Sequence, residues 1–250
     1  MSGFVVVIPA RYASVRLPGK PLRLLAGKPM LEHVHARALE SGADQVLVAT
    51  DDERIARAAA AFGAQVRMTS PDHRSGTERL GEVSRMEGWP EDRIVVNLQG
   101  DEPLMPPELV AACASVLRES AADIATLASP FESREDFENP NFVKVVVDDR
   151  GDALYFSRAP IPFARDTAQR ALAVRTALHH HGLYAYRAGA LERLVAAPPA
   201  PLETIEQLEQ LRALALGMRI RVAVPERRPG PGVDTEEDLQ RVARQLAAGT

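Results

Sequence analysis

Short apolar runs alternate along the first half of the chain with longer segments of helical spacing. Phe4–Ile8 is an uninterrupted apolar run and predicts a buried strand. Met30–Leu39 reads as a helix ended by Gly42, and Gln45–Ala49 as the next strand. A helix near Asp52–Phe62 stops at Gly63, and Gln65–Met68 returns to strand. Thr77–Met86 follows as a helix, with Ser75 and Glu78 resembling a capping box at its start. Arg93–Leu98 is a strand and Pro107–Leu117 a helix, with Pro106 and Pro107 suited to its first turn. Asp123–Leu127 is another short strand. This alternation predicts an α/β fold with a Rossmann-like, mostly parallel sheet flanked by helices.

The pattern changes after residue 130. Phe142–Val147 and Ala153–Phe156 flank the polar stretch 148–152 and predict an antiparallel hairpin. Leu172–Leu178 and Gly182–Tyr186 read as further strands. Ala188–Val195 and Thr204–Leu216 read as helices, and Arg219–Val224 as a late strand. The final helix, Thr235–Leu246, takes Asp234 or Thr235 as its cap. The expectation is one domain over residues 1–250, with a core of about 1–129 and 201–250 and a smaller antiparallel lobe inserted at about 130–200. The proline-rich stretch 196–201 reads as a stiff connector between them.

Composition narrows the class. At 250 residues, 46% apolar and 26% charged, the chain fits a soluble globular protein. A net charge of -4 argues against a general nucleic-acid binder, although a local cationic loop can still hold an anion. The single cysteine, Cys113, lies on an apolar helix face and suits a small buried role. The first apolar run is too short for a signal peptide and no stretch approaches a membrane span, so the expected location is the cytoplasm, without membrane insertion.

The richest chemistry lies in residues 9–22, Pro9-Ala10-Arg11-Tyr12-Ala13-Ser14-Val15-Arg16-Leu17-Pro18-Gly19-Lys20-Pro21-Leu22. This irregular stretch follows the first strand, where open α/β sheets bind ligands. Arg11, Arg16 and Lys20 place three cations in it, and exposed N–H groups with cations suit a triphosphate. It is neither a GxxxxGK[ST] loop nor a GxGxxG fingerprint. Asp101 lies just past a strand in Gln99-Gly100-Asp101-Glu102-Pro103; it reads as an Asx-turn carboxylate or a metal ligand. Asp234 reads, on local grounds, as a helix cap. Three adjacent histidines, His179 to His181, cannot share one ion on a strand, because neighbours point to opposite faces.

Seven ordered segments carry a family resemblance over nearly the whole chain. Besides the loop at 9–22 they are Ser75-Gly76-Thr77-Glu78-Arg79, Gln99-Gly100-Asp101-Glu102-Pro103, and Tyr155-Phe156-Ser157-Arg158-Ala159-Pro160. His180-His181-Gly182-Leu183-Tyr184, Leu208-Glu209-Gln210-Leu211-Arg212 and Gly232-Val233-Asp234-Thr235 complete the set. Together they resemble the sugar-activating nucleotidyltransferases, in the branch that activates the acid sugar 3-deoxy-manno-octulosonate, Kdo, for lipopolysaccharide. The resemblance implies an enzyme that uses CTP and Mg2+, works as a homodimer, and releases pyrophosphate. It assigns the nucleotide to Pro9, Ala10, Arg11, Lys20, Ser75, Gly76 and Arg79, and the metal to Asp101 and Asp234. Lys20, Asp101 and Asp234 are the implied catalytic set, and Gln99, Arg158, His180, Tyr184 and Glu209 the implied sugar contacts. The chain departs from the family at His179 and His181, where Arg and an apolar residue are expected. Rival readings are a cytidylyltransferase for another acid sugar, such as a sialic acid or 8-amino-Kdo, and a nucleotide-binding module without turnover. A dehydrogenase on the same sheet type would need the glycine fingerprint that is missing.

Overall fold

The computed structural model describes residues 3–13 and 16–248; Ser14 and Val15 of the cationic loop lie outside the described residues. The chain begins with β1 (Phe4–Ala10), the short ribbon β2 (Leu24–Leu25) and β3 (Lys28–Pro29), and α1 (Met30–Glu40). Then come β4 (Gln45–Thr50), α2 (Glu53–Ala61), β5 (Gln65–Met68), α3 (Gly76–Glu87), β6 (Ile94–Asn97), α4 (Pro107–Glu119) and β7 (Ile124–Pro130). The middle holds α5 (Arg134–Glu138), β8 (Lys144–Val147), β9 (Ala153–Ser157), α6 (Arg170–Thr176) and β10 (Leu178–Arg187). The chain closes with α7 (Ala188–Ala196), α8 (Pro201–Glu206), α9 (Gln210–Ala215), β11 (Ile220–Ala223) and α10 (Glu236–Ala248).

Seven strands run side by side in the order β11-β7-β10-β6-β1-β4-β5, and the β8–β9 hairpin joins through β10. β1 pairs in parallel with β4 and β6, and β11 pairs in parallel with β7. β10 is antiparallel to both β6 and β7. The sheet is thus mostly parallel in its core with an antiparallel addition, the expected fold class. β1 explains the first apolar run: it is central and buried on both faces, which favours continuous apolar sequence over alternation. Val6 and Ile8 pack with Leu31, Ile55 and Leu109 on one face. Val5 and Val7 pack with Leu80, Val83 and Leu191 on the other. Each such side chain contributes about 1.5–3 kcal/mol when fully buried. Cys113 is wholly buried in the first of these layers, the small apolar role expected for it.

A smaller cluster positions the candidate site. Leu17, Leu25 and Met30 pack against Val233, Leu239 and Val242, which ties α10 to the cationic loop. Thr235 rather than Asp234 caps α10: its Oγ1 accepts from the Asp238 N–H at 3.2 Å, and Asp238 Oδ2 accepts from the Thr235 N–H at 3.0 Å. This reciprocal cap leaves the Asp234 carboxylate free for other partners.

Three local expectations differ from the structure. Residues 172–176 are helix, not strand, because Ala173 alone in α6 is buried and Arg, Ala and Leu favour helix where no sheet neighbour is offered. The strand starts only at Leu178 and runs unbroken to Arg187, with a register shift between His181 and Tyr184. It lies between β6 and β7, so the segment expected as an inserted lobe also supplies a strand to the middle of the sheet. The helix expected over 204–216 is two helices, starting at Pro201 and broken at Gln207, which sits at φ 55. The break lets Glu203 on α8 reach Arg212 on α9, with Arg212 Nε 2.8 Å from Glu203 Oε2. Arg212 is 4% exposed. Removing one member of a buried pair typically costs about 3–5 kcal/mol, because the other charge is left uncompensated. Arg212→Met is therefore expected to lower the urea midpoint strongly. Adding Glu203→Gln to it should restore part of the loss.

Candidate active site

The loop after β1 carries Lys20 into the cleft between two acidic loops. Its Nζ donates to Asp101 Oδ2 at 2.7 Å, to Asp234 Oδ1 at 3.0 Å and to the Val233 carbonyl at 3.0 Å. Asp101 follows β6, while Asp234 precedes α10; the Val233 N–H donating to the Asp101 carbonyl at 2.9 Å joins the two loops. Arg16 Nη2 also lies 3.1 Å from Asp234 Oδ1. Burial works against the charge on Lys20, but Asp101 and then Asp234 outweigh it and hold its pKa above the usual range. Glu102, next to the pair, is pushed up to about 8 by burial first and then by the charges of Asp101 and Asp234. Burial, helped by the two neighbouring charges, favours the protonated form of Glu102 at neutral pH.

A cavity of about 380 Å³ opens beside these groups. All the residues assigned to the nucleotide line it: Pro9, Ala10, Arg11, Lys20, Ser75, Gly76 and Arg79. Ser75 caps α3, its Oγ accepting from the Glu78 N–H at 3.2 Å. The reciprocal half of the expected capping box is absent, since Glu78 Oε2 accepts from the Arg74 N–H at 2.8 Å instead. A Cβ on Gly76 would meet Pro9 Cγ at 3.0 Å, and one on Gly100 would meet the Pro9 carbonyl at 3.0 Å. Glycine at both positions lets the loops after β1, β5 and β6 close around the cavity. Arg79 is 3% exposed and bonds Thr69, with Asp51 3.4 Å away, rather than pairing on its own helix. His73 and Arg74 also line this cavity and were missed in the sequence; Arg74 adjoins the Ser75-Gly76 motif, while nothing marks His73.

A second cavity of about 210 Å³ adjoins the first, and Ser75, Gly76 and Gln99 line both. Of the residues assigned to the sugar, Gln99, Tyr184 and Glu209 meet here. Gln99 Nε2 donates to Asn97 Oδ1 at 3.2 Å. Thr77, Asn97, Tyr186 and Gln210 complete the polar wall and had no separate signal in the sequence. Burial above all raises the Tyr184 and Tyr186 hydroxyl pKa values, so both stay protonated donors.

Arg158 and His180 lie outside both cavities. Arg158 donates through its backbone N to Glu206 Oε2 at 2.9 Å, through Nε to the Glu206 carbonyl at 2.9 Å and through Nη1 to the Pro140 carbonyl at 3.1 Å. His180 is buried, with Nε2 3.1 Å from Thr126 Oγ1 and its ring 5.1 Å from Phe156 and 5.2 Å from Tyr184. His179 and His181 face the other side of β10, with ring centroids 4.8 Å apart, as strand alternation requires. Burial, then neighbouring histidines, pushes His180 and His181 down to about 3 each. An unfolded histidine titrates near 6.5, so the folded chain gains stability above that pH and loses it as pH falls from about 6.5 toward 3. The melting temperature is expected to drop between pH 7 and pH 5, and His181→Leu should flatten that slope. An unchanged slope in that variant would contradict the sign.

The carboxylates fit a metal. Both reach a single cation, the Lys20 ammonium, which marks a position where a positive charge is held by two oxygens. An all-oxygen donor set suits a hard divalent ion that completes its shell with phosphate and water. Among the described residues, no group of three or more His, Cys, Asp or Glu is arranged to hold a metal. An ion at the Asp101–Asp234 position would therefore draw further ligands from a bound nucleotide. Among the described residues no helix is long and apolar enough to cross a membrane.

Comparison with known proteins shows the family. The family described as Cytidylyltransferase matches residues 5–220. A 3-deoxy-manno-octulosonate cytidylyltransferase of Xanthomonas campestris pv. campestris (strain B100) is 55% identical, covering 99% of this chain and 90% of its own. One of the same name from Yersinia enterocolitica serotype O:8 / biotype 1B is 56% identical, covering 96% of each. The solved structure of CMP:2-keto-3-deoxy-manno-octonic acid synthetase complexed with CTP superposes with a TM-score of 0.91 at 45% identity, over 100% of both chains. A match of this extent, with relatives more than half identical over almost the whole chain, makes the chain a member of the cytidylyltransferase family.

Proposed function

We propose that this chain transfers the cytidylyl group of CTP to the anomeric hydroxyl of Kdo, giving CMP-Kdo and pyrophosphate for lipopolysaccharide assembly. One observation carries the reading: a cationic cavity and a smaller cavity that holds Gln99, Tyr184 and Glu209 share Ser75, Gly76 and Gln99, beside two converging carboxylates. A nucleotide in the first and a sugar in the second would meet at that seam. Attack needs the reacting oxygen and phosphorus about 3–3.5 Å apart and in line. Lys20, Arg11 and Arg16 offset triphosphate charge; Gln99, Tyr184 and Glu209 orient the sugar. Asp101 and Asp234 would hold Mg2+, which supplies charge neutralisation on the phosphates when bound. The relatives' names and the CTP-bound structure support cytidine and Kdo over a sialic acid or 8-amino-Kdo, and the presence of both carboxylates supports turnover over mere binding.

The division of labour follows from the same reading. Residues of about 1–129 and 201–250 bind nucleotide and lend Gln99 and Glu209 to the sugar, and those of about 130–200 add Tyr184 to the sugar site and serve a homodimer contact. Support for the contact comes from exposed Leu154, Leu172 and Phe163, the last 85% exposed. A cytoplasmic site of action accords with the use of CTP. Arg158 and His180 lie outside the sugar cavity, so they reach the sugar by closure of their segment or act through its neighbours. Hydrogen exchange with CTP, Mg2+ and an unreactive Kdo analogue is expected to show protection over residues 158–187 that CTP alone does not give. Equal exchange in the two conditions would remove closure from the mechanism.

The deciding experiment is pyrophosphate release with CTP, ATP, GTP or UTP, each combined with Kdo, a sialic acid or 8-amino-Kdo. Release confined to CTP with Kdo is the expected result. Release with another pair, or with none, would overturn the proposal.

A further inference from the structure

The cationic loop after β1 is drawn together at a neck. The Gly19 N–H donates to the Tyr12 carbonyl at 3.2 Å, so residues 12 and 19 close the segment between them. Gly19 sits at φ 66, and a Cβ there would meet the Tyr12 ring at 3.2 Å, so the backbone lies against the ring itself. From Gly19 the chain enters a 3-10 turn over Lys20–Leu22, with the Leu22 N–H donating to the Gly19 carbonyl at 2.9 Å. The two neck residues are thus the direct neighbours of two cations that line the first cavity, Arg11 before Tyr12 and Lys20 after Gly19.

A residue of α2 grips this neck from outside the cavity. Arg54 Cζ stands 3.3 Å from the centre of the Tyr12 ring. A planar guanidinium stacks well on an aromatic face. The guanidinium is itself fixed, since Nε and Nη2 donate to Asp52 Oδ1 and Oδ2 at 3.0 and 2.6 Å. Asp52 also caps α2, its Oδ1 accepting from the Arg54 N–H at 2.9 Å. Ile55 and Ala59 bury α2 in the core beneath β1, so the stack ties the neck to a rigid element. Arg54 lines neither of the two cavities, and its side chain is 53% exposed.

We propose that Arg54 is a positioning residue for the nucleotide: stacked on Tyr12, it holds the neck so that Arg11 and Lys20 meet the triphosphate. The proposal rests on the reading of the first cavity as the CTP site. A displacement of about 1 Å in a positioned group can cost about 10²-fold, so a residue that touches no substrate can still set the affinity.

Calorimetric binding of CTP with Mg2+ and without Kdo reads the loop separately from the transfer. Arg54→Ala is expected to raise the Kd for CTP about tenfold or more, with the KM for Kdo within about twofold of the parent. Its melting temperature should stay within about 4 °C, the scale of an exposed ion pair. Tyr12→Leu should weaken CTP as much although it removes no charge, and Tyr12→Phe, which keeps the ring, should recover most of the affinity. The double variant Arg54→Ala with Tyr12→Leu should lose little more than either single one, because both remove the same contact. The ratio of the Arg54→Ala and parental Kd values should hold from low to high salt, whereas a plain charge effect would fade with screening. A role in stability alone would lower the melting temperature and leave CTP affinity at the parental value. That result, a ratio that vanishes at high salt, or additive losses in the double variant would overturn the proposal while leaving the proposed transfer standing. A parent that binds no CTP would overturn both. A parent that binds CTP but releases no pyrophosphate with Kdo would overturn the transfer alone.

Discussion

Asp101→Asn is expected to reduce turnover by about 10²–10³-fold or more while the far-ultraviolet spectrum and melting temperature stay close to those of the parent. The substitution keeps the shape of the side chain and removes one of the two charges that converge on Lys20. Asp101 makes that ion pair while only part-exposed at 34% of its side chain, so its loss should cost little of the fold. The KM for Kdo should hardly move, since Asp101 lines the first cavity and not the second. Asp234→Asn should behave alike, and the double variant should lose little more than either single one, because groups that act as a unit are not additive. The check is steady-state pyrophosphate release over a Mg2+ titration. A folded Asp101→Asn protein with near-parental turnover at the parental Mg2+ concentration would remove Asp101 from the metal site.

Lys20→Ala is the second large effect. Among the described residues the ammonium alone donates to both carboxylates, and its side chain is 14% exposed. Without it Asp101 loses its cation, Asp234 keeps only Arg16, and the nucleotide loses a point charge. The kcat/KM for CTP is expected to fall by about 10²-fold or more. Stability should fall as well, most at low salt, where charges are least screened. Millimolar Mg2+ should then raise the melting temperature of Lys20→Ala more than that of the parent, because an ion that binds the folded form alone shifts the equilibrium by mass action. Lys20→Arg is not a neutral control, since a planar guanidinium cannot occupy the compact position of an ammonium bonded to Asp101, Asp234 and the Val233 carbonyl. If Mg2+ stabilised parent and Lys20→Ala equally, Lys20 and the ion would not share a field.

The neighbourhood of Asp234 shows where the sequence reading was ambiguous. Asp234 and Thr235 were equally good caps for the last helix by residue type. In the fold Asp238 takes the Thr235 N–H and hydroxyl, which frees Asp234 for Lys20. The same holds for Glu209 and Arg212, three residues apart in a stretch that reads as one helix over 204–216. The φ of 55 at Gln207 breaks that helix, so Arg212 pairs with Glu203 and Glu209 turns to the cavity.

What the sequence determined by itself was set by local rules. Continuous apolar runs such as Phe4–Ile8 can be satisfied only by strands buried on both faces, and glycines such as Gly42 and Gly63, both at positive φ, end the helices between them. Motif order then carried the family and part of the cavity lining, Arg11, Lys20, Arg79, Gln99, Tyr184 and Glu209 among it. What the tertiary structure alone decided was everything that depends on contacts between distant segments. The 81-residue separation of Lys20 and Asp101 carries no periodic signal, nor does the 213-residue separation of Lys20 and the Val233 carbonyl. Those pairings exist because the small core of Leu17, Leu25, Met30, Val233, Leu239 and Val242 holds the two ends of the chain together. Likewise, no spacing rule could show that Arg158 is held by Glu206 and Pro140 outside both cavities, or that Gln210 lines the second one, since both depend on where a turned backbone meets its neighbours.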